Sequence, residues 1–171
     1  MNYLEARRSI QSGDVIGVEG GTFWSKITRL VQKLAGHGSS ALVTHNAMAW
    51  WLEDRLYLVE MDGKHNVLRP MSQYKVPIRW YGCPGDRDRV KELFAAMTQD
   101  KIDYSVLQNV FSGLRILRRS KRLIAKADGE NCSHFVARWQ KLAGWNVDLP
   151  DDPTPSEIDI AFDRLFVRID P

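Results

Sequence analysis

Cysteine is scarce: the 171 residues hold only Cys83 and Cys132. Two thiols far apart in sequence make no disulfide framework, and reduced thiols are expected in a chain without an export signal. They are also too few, and too widely spaced, for a zinc cluster, so neither a metal nor a cofactor is expected. No run of 18 apolar residues occurs, which excludes a membrane-spanning helix from the expectations. The opening MNYLEARRSI lacks the apolar stretch of a signal peptide. A soluble protein, cytoplasmic as synthesised, is therefore expected, with any delivery elsewhere needing another route. Neither repeats nor low-complexity segments are visible. Net charge is small, at +3 from 24 basic and 21 acidic residues. That balance alone makes no nucleic-acid binder, and no stable nucleic-acid partner is expected.

What the chain does have is core material. Hydrophobic residues make up 44%, with six Trp, five Tyr and six Phe as bulky anchors. The length suits one domain over residues 1–171, large enough to bury its own core. Residues 3–11 read as a short helix, stopped by Ser12-Gly13-Asp14. Val15 to Val18 reads as a strand. From Phe23 to Leu34 the apolar positions Phe23, Ile27, Leu30, Val31 and Leu34 keep a helical period. After a glycine-rich loop, strands are expected over Ala41–Trp51, Tyr57–Met61, Asn66–Arg69 and Val76–Tyr81, with Asp62-Gly63 as a tight turn. Helices are expected over Asp86–Thr98, Tyr104–Leu117, Cys132–Leu142 and Glu157–Phe162, the last capped by Thr154 or Ser156. A strand meander with helices grouped around it is an α+β layout.

Three residues stand out chemically. Cys132 opens a helix, where unpaired backbone donors and the positive end of the dipole favour thiolate. The plainer reading is a small buried apolar side chain. His45 shares a strand face with Val43, Ala47 and Ala49, small neighbours that leave its ring approachable; the plainer reading is a satisfied core histidine. Glu60 lies within the apolar run Tyr57 to Met61, where a carboxylate is costly unless paired. A neighbouring strand carrying His45 would pair it; an edge carboxylate facing water is the alternative. Together the three would make a nucleophile, a base and an orienting acid.

Their order and surroundings resemble a known family. Ser12-Gly13-Asp14-Val15-Ile16, Ser40 to Met48, Leu58 to Met61 and Asn131-Cys132-Ser133-His134-Phe135-Val136 resemble the motifs of the circularly permuted papain-like amidases, the YiiX-type branch of the NlpC-related superfamily. Ala143-Gly144 and Thr154-Pro155-Ser156-Glu157-Ile158 match its tail, and the order His, acid, Cys is the permuted one. The resemblance implies a permuted papain-like (NlpC-type) fold, an antiparallel sheet or small barrel packed against helices. It implies Cys132 as nucleophile, His45 as base and Glu60 as orienter, with Gly13, Asp14, Ser133 and His134 along the substrate cleft. Asn131 stands where the family has an aromatic residue, and His134 where it has Glu. Trp24, Trp50 and Trp51 are candidates for the cleft lining or for the core.

The implied activity is a thiol-dependent amidase or peptidase acting on an amide, in a cell-wall peptide first of all. A lipid acyl hydrolase or acyltransferase of the lecithin-retinol-acyltransferase type is the alternative within the permuted group. An alternative of another class is a non-catalytic module. In it the basic segment Arg115 to Lys126, with Arg118, Arg119 and Arg122, contacts an anionic membrane or nucleic acid.

Overall fold

A computed structural model of the chain describes residues 1–61, 65–99, 131–163 and 165–171, without the side chains of residues 23, 24, 98 and 99. The expected Asp62-Gly63 turn, the helix over 104–117 and the basic segment 115–126 lie outside the described residues.

The protein is α+β. Six strands form one antiparallel sheet: β1 (Val15–Val18), β2 (His45–Leu52), β3 (Arg55–Met61), β4 (Asn66–Pro70), β5 (Ile78–Trp80) and β6 (Val167–Ile169). Their spatial order is β4-β3-β2-β1-β5-β6, so β4 and β6 are the edges and the described sheet is open, not a closed barrel. The consecutive strands β2, β3 and β4 pair as neighbours, as a meander requires, but β1 wedges between β2 and β5.

Five helices are described: α1 (Tyr3–Arg7), α2 (Phe23–Leu34), α3 (Arg87–Gln99), α4 (Cys132–Leu142) and α5 (Pro155–Ala161). Each start has a local cause where a cap is seen. Asn2 and Thr154 form capping boxes with Glu5 and Glu157, and Pro155 supplies the fixed φ of a first helical position. Thr22 caps α2 and Asn131 caps α4.

Both faces of the sheet are covered, which is why β1 is buried throughout and β2 along most of its length. On one face Val15, Met48, Trp50, Val59 and Met61 pack against Val90 and Met97 of α3, Phe135, Val136 and Trp139 of α4, and Ile158 of α5. On the other face Ile16, Ala47, Ala49, Leu58 and Ile78 pack with Ala6, Ile10 and Met71. At 0.8 kcal/mol or so per buried methylene, these two clusters are the main source of stability.

Two expected boundaries move by four residues, and one strand is new. The helix expected over 3–11 ends at Arg7. The strand expected from Ala41 begins only at His45, because Gly38–Leu42 winds into a 3-10 helix. There the buried Gln32 amide donates to the carbonyls of Ala41 and Val43 at 3.2 and 2.9 Å, groups a strand would have placed in the ladder. β6 was not expected at all.

Candidate active site

His45 is the first residue of β2 and Cys132 the first of α4, so each projects from the end of its element. Glu60 sits one position beyond Val59, which pairs with Met48. One step further along the register sets Ala47 opposite Glu60, with His45 on the diagonal. Ala47 is small enough to let ring and carboxylate meet over it. His45 Nε2 donates to Glu60 Oε2 at 2.6 Å.

Glu60 is almost fully buried and heavily partnered. The Tyr74 hydroxyl donates to the same Oε2. Arg69 Nε lies 3.3 Å from Oε1. Burial alone would push the Glu60 carboxyl up. The hydrogen bond and charge of His45, the Tyr74 hydroxyl and Arg69 outweigh it and hold the carboxyl below its usual value. Burial and the adjacent carboxylate in turn push the Tyr74 phenol up, which keeps it a donor.

With Nε2 committed to Glu60, Nδ1 is the nitrogen left for the sulfur. Burial would lower the His45 pKa, but the charge and hydrogen bond of Cys132, then Glu60, lift it to about 10. The thiol responds in the opposite sense. Burial raises it, while the charge and hydrogen bond of His45, the Asn46 backbone N–H and the Ser133 hydroxyl bring it below its ordinary value. The two groups titrate as a pair, and each holds the other toward its charged form, thiolate beside imidazolium. The imidazole is a quarter exposed, and Cys132 keeps a 6% opening.

The sulfur is held from below. Ser133 Oγ lies 3.9 Å from it and donates to Asn46 Oδ1 at 3.1 Å. Asn131 Oδ1 accepts from the Ser133 and His134 N–H groups at 2.9 and 2.8 Å, and its Nδ2 donates to Asp152. Asn131, set where the resemblance has an aromatic residue, thus starts the helix and ties it to the loop before α5. The Cys132 N–H has no hydrogen-bond partner among the described residues.

The structure brings Cys132, His45 and Glu60 together, with Ser133 directly beneath the sulfur and fully buried. His134 follows on α4, half-buried. Gly13 and Asp14 are not brought there, which corrects the expectation that they line the cleft. They lie at the far end of β1, whose Val18 pairs with His45 while Val15 pairs with Met48. Gly13 has φ +91° and its carbonyl accepts from Gln140 Nε2 at 2.8 Å. Asp14 is buried, accepting from Arg87 Nη2 at 2.7 Å and Trp80 Nε1 at 2.9 Å. Trp50 stacks on Phe94 at 3.9 Å, and Trp51 Nε1 donates to the Ile10 carbonyl, so both serve packing. The Trp24 side chain lies outside the described residues.

Both cysteines are free. Cys83 differs from Cys132: burial pushes its thiol up, against weaker opposing contributions led by Arg87. Among the described residues, no group of three or more His, Cys, Asp or Glu side chains is placed to hold a metal ion, and no helix is long and apolar enough to cross a membrane.

Sequence reasoning missed Tyr74, Arg69 and the Asn46 N–H. The two side chains reach Glu60 only through the β3–β4 register and the turn after β4, and neither leaves a local signal. No protein-family model matches the chain, and no curated protein matches it.

Proposed function

We propose that this protein is a cysteine hydrolase that cleaves an amide or ester through Cys132, His45 and Glu60. The observation that carries the reading is the meeting of a thiol, an imidazole and a buried carboxylate from three separate elements, with charges arranged to favour thiolate. A buried apolar cysteine would not need an imidazole backed by an anion.

The Cys132 thiolate attacks the carbonyl carbon, and the carbonyl π electrons move onto oxygen. The Cys132 N–H, at the positive end of α4, donates to that oxyanion. Collapse of the tetrahedral species expels the amine or alcohol, which takes the proton from imidazolium. Neutral His45 then removes a proton from water, whose oxygen attacks the thioester and releases the acid and the thiolate. Glu60 is a positioning residue: it fixes the ring through Nε2 and stabilises imidazolium. Tyr74 and Arg69 keep Glu60 ionised and in place.

The resemblance to permuted papain-like amidases directs the substrate reading to an amide in a cell-wall peptide or a related amide. It also directs the fold reading to the permuted papain-like type, which an antiparallel sheet with a cysteine at a helix start supports.

Alkylation tests the chemistry without a known substrate. Iodoacetamide at neutral pH, followed by peptide mass spectrometry, is expected to label Cys132 at least about tenfold faster than Cys83. The His45→Ala variant is expected to lose that advantage. Equal labelling, or a rate indifferent to His45→Ala, would overturn the reading.

A further inference from the structure

α2 is built inside out. Its apolar residues keep a clean helical period, yet that stripe does not face the core. Ile27, Leu30 and Leu34 are 38%, 58% and 67% exposed. At 100° per residue they fall within about a 60° arc. The opposite side is polar and turned inward. Gln32 is fully buried there, its amide donating to the Ala41 and Val43 carbonyls and accepting from the Ser156 N–H at 3.0 Å. Arg29 Nη2 donates to the Gly20 carbonyl at 2.6 Å. The buried amide fixes the helix in this orientation, because turning the stripe inward would leave four hydrogen-bonding groups unpaired.

Charge says what the stripe faces. Lys26 and Lys33 are exposed and seven residues apart, so they run as a row along one flank of the stripe. With Arg29 they give the helix three cations, and it contains no Asp or Glu. A second copy of the same helix would bring cation row against cation row. A bilayer of anionic lipid offers what both halves of the surface need: hydrocarbon for the leucines and phosphate for the lysines.

We propose that α2 is an interfacial helix by which this protein docks on an anionic lipid bilayer, with Ile27, Leu30 and Leu34 entering the acyl boundary and Lys26 and Lys33 at the headgroups. The docking does not rest on the hydrolase reading. It does bear on the site, because α2 grows from the strand end that carries His45. Val18 pairs with His45, the Thr44 N–H donates to the Val18 carbonyl at 3.0 Å, and the Gly20 N–H donates to Thr44 Oγ1 at 3.1 Å. A bilayer seated on α2 therefore lies beside the catalytic rim.

Co-sedimentation of the full chain with vesicles provides the test. Binding is expected to vesicles of phosphatidylcholine mixed with phosphatidylglycerol, and to fall with phosphatidylcholine alone or with added salt. Leu30→Glu with Leu34→Glu is expected to weaken it by more than about 100-fold. Lys26→Glu with Lys33→Glu is expected to weaken it by about 25-fold or more. An unchanged alkylation rate at Cys132 shows that each variant is folded, and Cys132→Ala is expected to bind vesicles like the parent. No binding to the mixed vesicles, or binding indifferent to both double variants, overturns the proposal. So does sedimentation equilibrium showing a dimer that Leu30→Glu with Leu34→Glu dissolves, because the stripe is then covered by a second copy.

Discussion

The protein contains two buried carboxylate clusters of similar parts and opposite character. In one, Glu60 is met by Tyr74, Arg69 and His45. In the other, Asp159 is met by the Tyr81 hydroxyl and by Arg79 Nη1, which donates to Oδ1 and Oδ2 at 3.0 and 2.9 Å. Arg79 Nε also donates to Glu19 at 2.9 Å and Nη2 to the Ser39 carbonyl at 2.8 Å, while the guanidinium lies 4.3 Å over the Phe166 ring. Burial would lower the Arg79 pKa, but Glu19 and Asp159 raise it further above its ordinary value. That second cluster holds a cation that never titrates, closed on all sides, and it joins β5, α5 and the end of β1. The first cluster places a titratable ring between its anion and a sulfur and leaves the ring a quarter exposed. The same ingredients make a rivet when the central cation is permanent and, under the proposed hydrolase reading, a reactive centre when it is a proton that can leave.

Substitutions can break that contrast in a definite order. Cys132→Ala is expected to abolish turnover of a cleavable amide or ester probe, by about 10⁴-fold or more, with thermal unfolding little changed. Arg79→Ala strands the buried Asp159, leaves Glu19 with the exposed Arg168 at 3.6 Å, and is expected to cost about 3–5 kcal/mol in denaturant unfolding. Any activity lost there should track the unfolded fraction. Glu60→Gln is expected to lower turnover by about 100-fold or more while costing less stability than Arg79→Ala. Its remaining cation, Arg69, is 43% exposed and can hydrate, which the enclosed Arg79 cannot. Tyr74→Phe and Tyr81→Phe sharpen the comparison at its smallest scale. Each removes one hydrogen bond to a carboxylate, about 1.5–3 kcal/mol at most. The first should move the pH profile of Cys132 alkylation and the second only the unfolding midpoint.

Acidity offers a separate test. Turnover should rise with pH as Cys132 ionises below its ordinary value, then fall as His45 loses its proton near 10. Stability follows the sign of each shift. The His45 pKa is raised from 6.5, so its contribution is complete below about 6.5 and is lost as pH climbs through about 10. The Glu60 pKa is lowered, so its contribution is present above the ordinary carboxylate value and is lost as pH falls through its folded-state value. A rate profile without an alkaline limb in that region would remove His45 from the proton-donor role.

The spans of β1, α2 and α4 are readable from periodicity and breakers, with the boundaries the structure has. β6 is not, because Val167–Ile169 is short and largely exposed, and only its pairing with β5 makes it a strand. The orientation of α2 is not readable either. Its period is that of a core-facing helix, and only the bonds of Gln32 to a distant 3-10 turn reveal which side is inside. At the site, the helix start marks Cys132, and the cost of a carboxylate in an apolar strand marks Glu60. Tyr74 and Arg69 stay hidden because register, not sequence distance, brings them in. Gly13 and Asp14 mislead for a related reason: a turn motif says where the chain bends, not which end of a strand faces the cleft.

Cys132 belongs to the helical layer with Met48 and Val59, whereas Glu60 shares the opposite face with Leu58 and Tyr74. Among the described residues, only His45, at the tip of β2, reaches both. A nascent chain whose α4 has not yet seated carries a thiol of ordinary acidity, about 8.5, and little attacking power. Under the proposed hydrolase reading, nucleophilicity switches on when α4 docks on the sheet and brings the sulfur to His45. The speed at which the thiol acquires its reactivity during refolding is a built-in clock for that event.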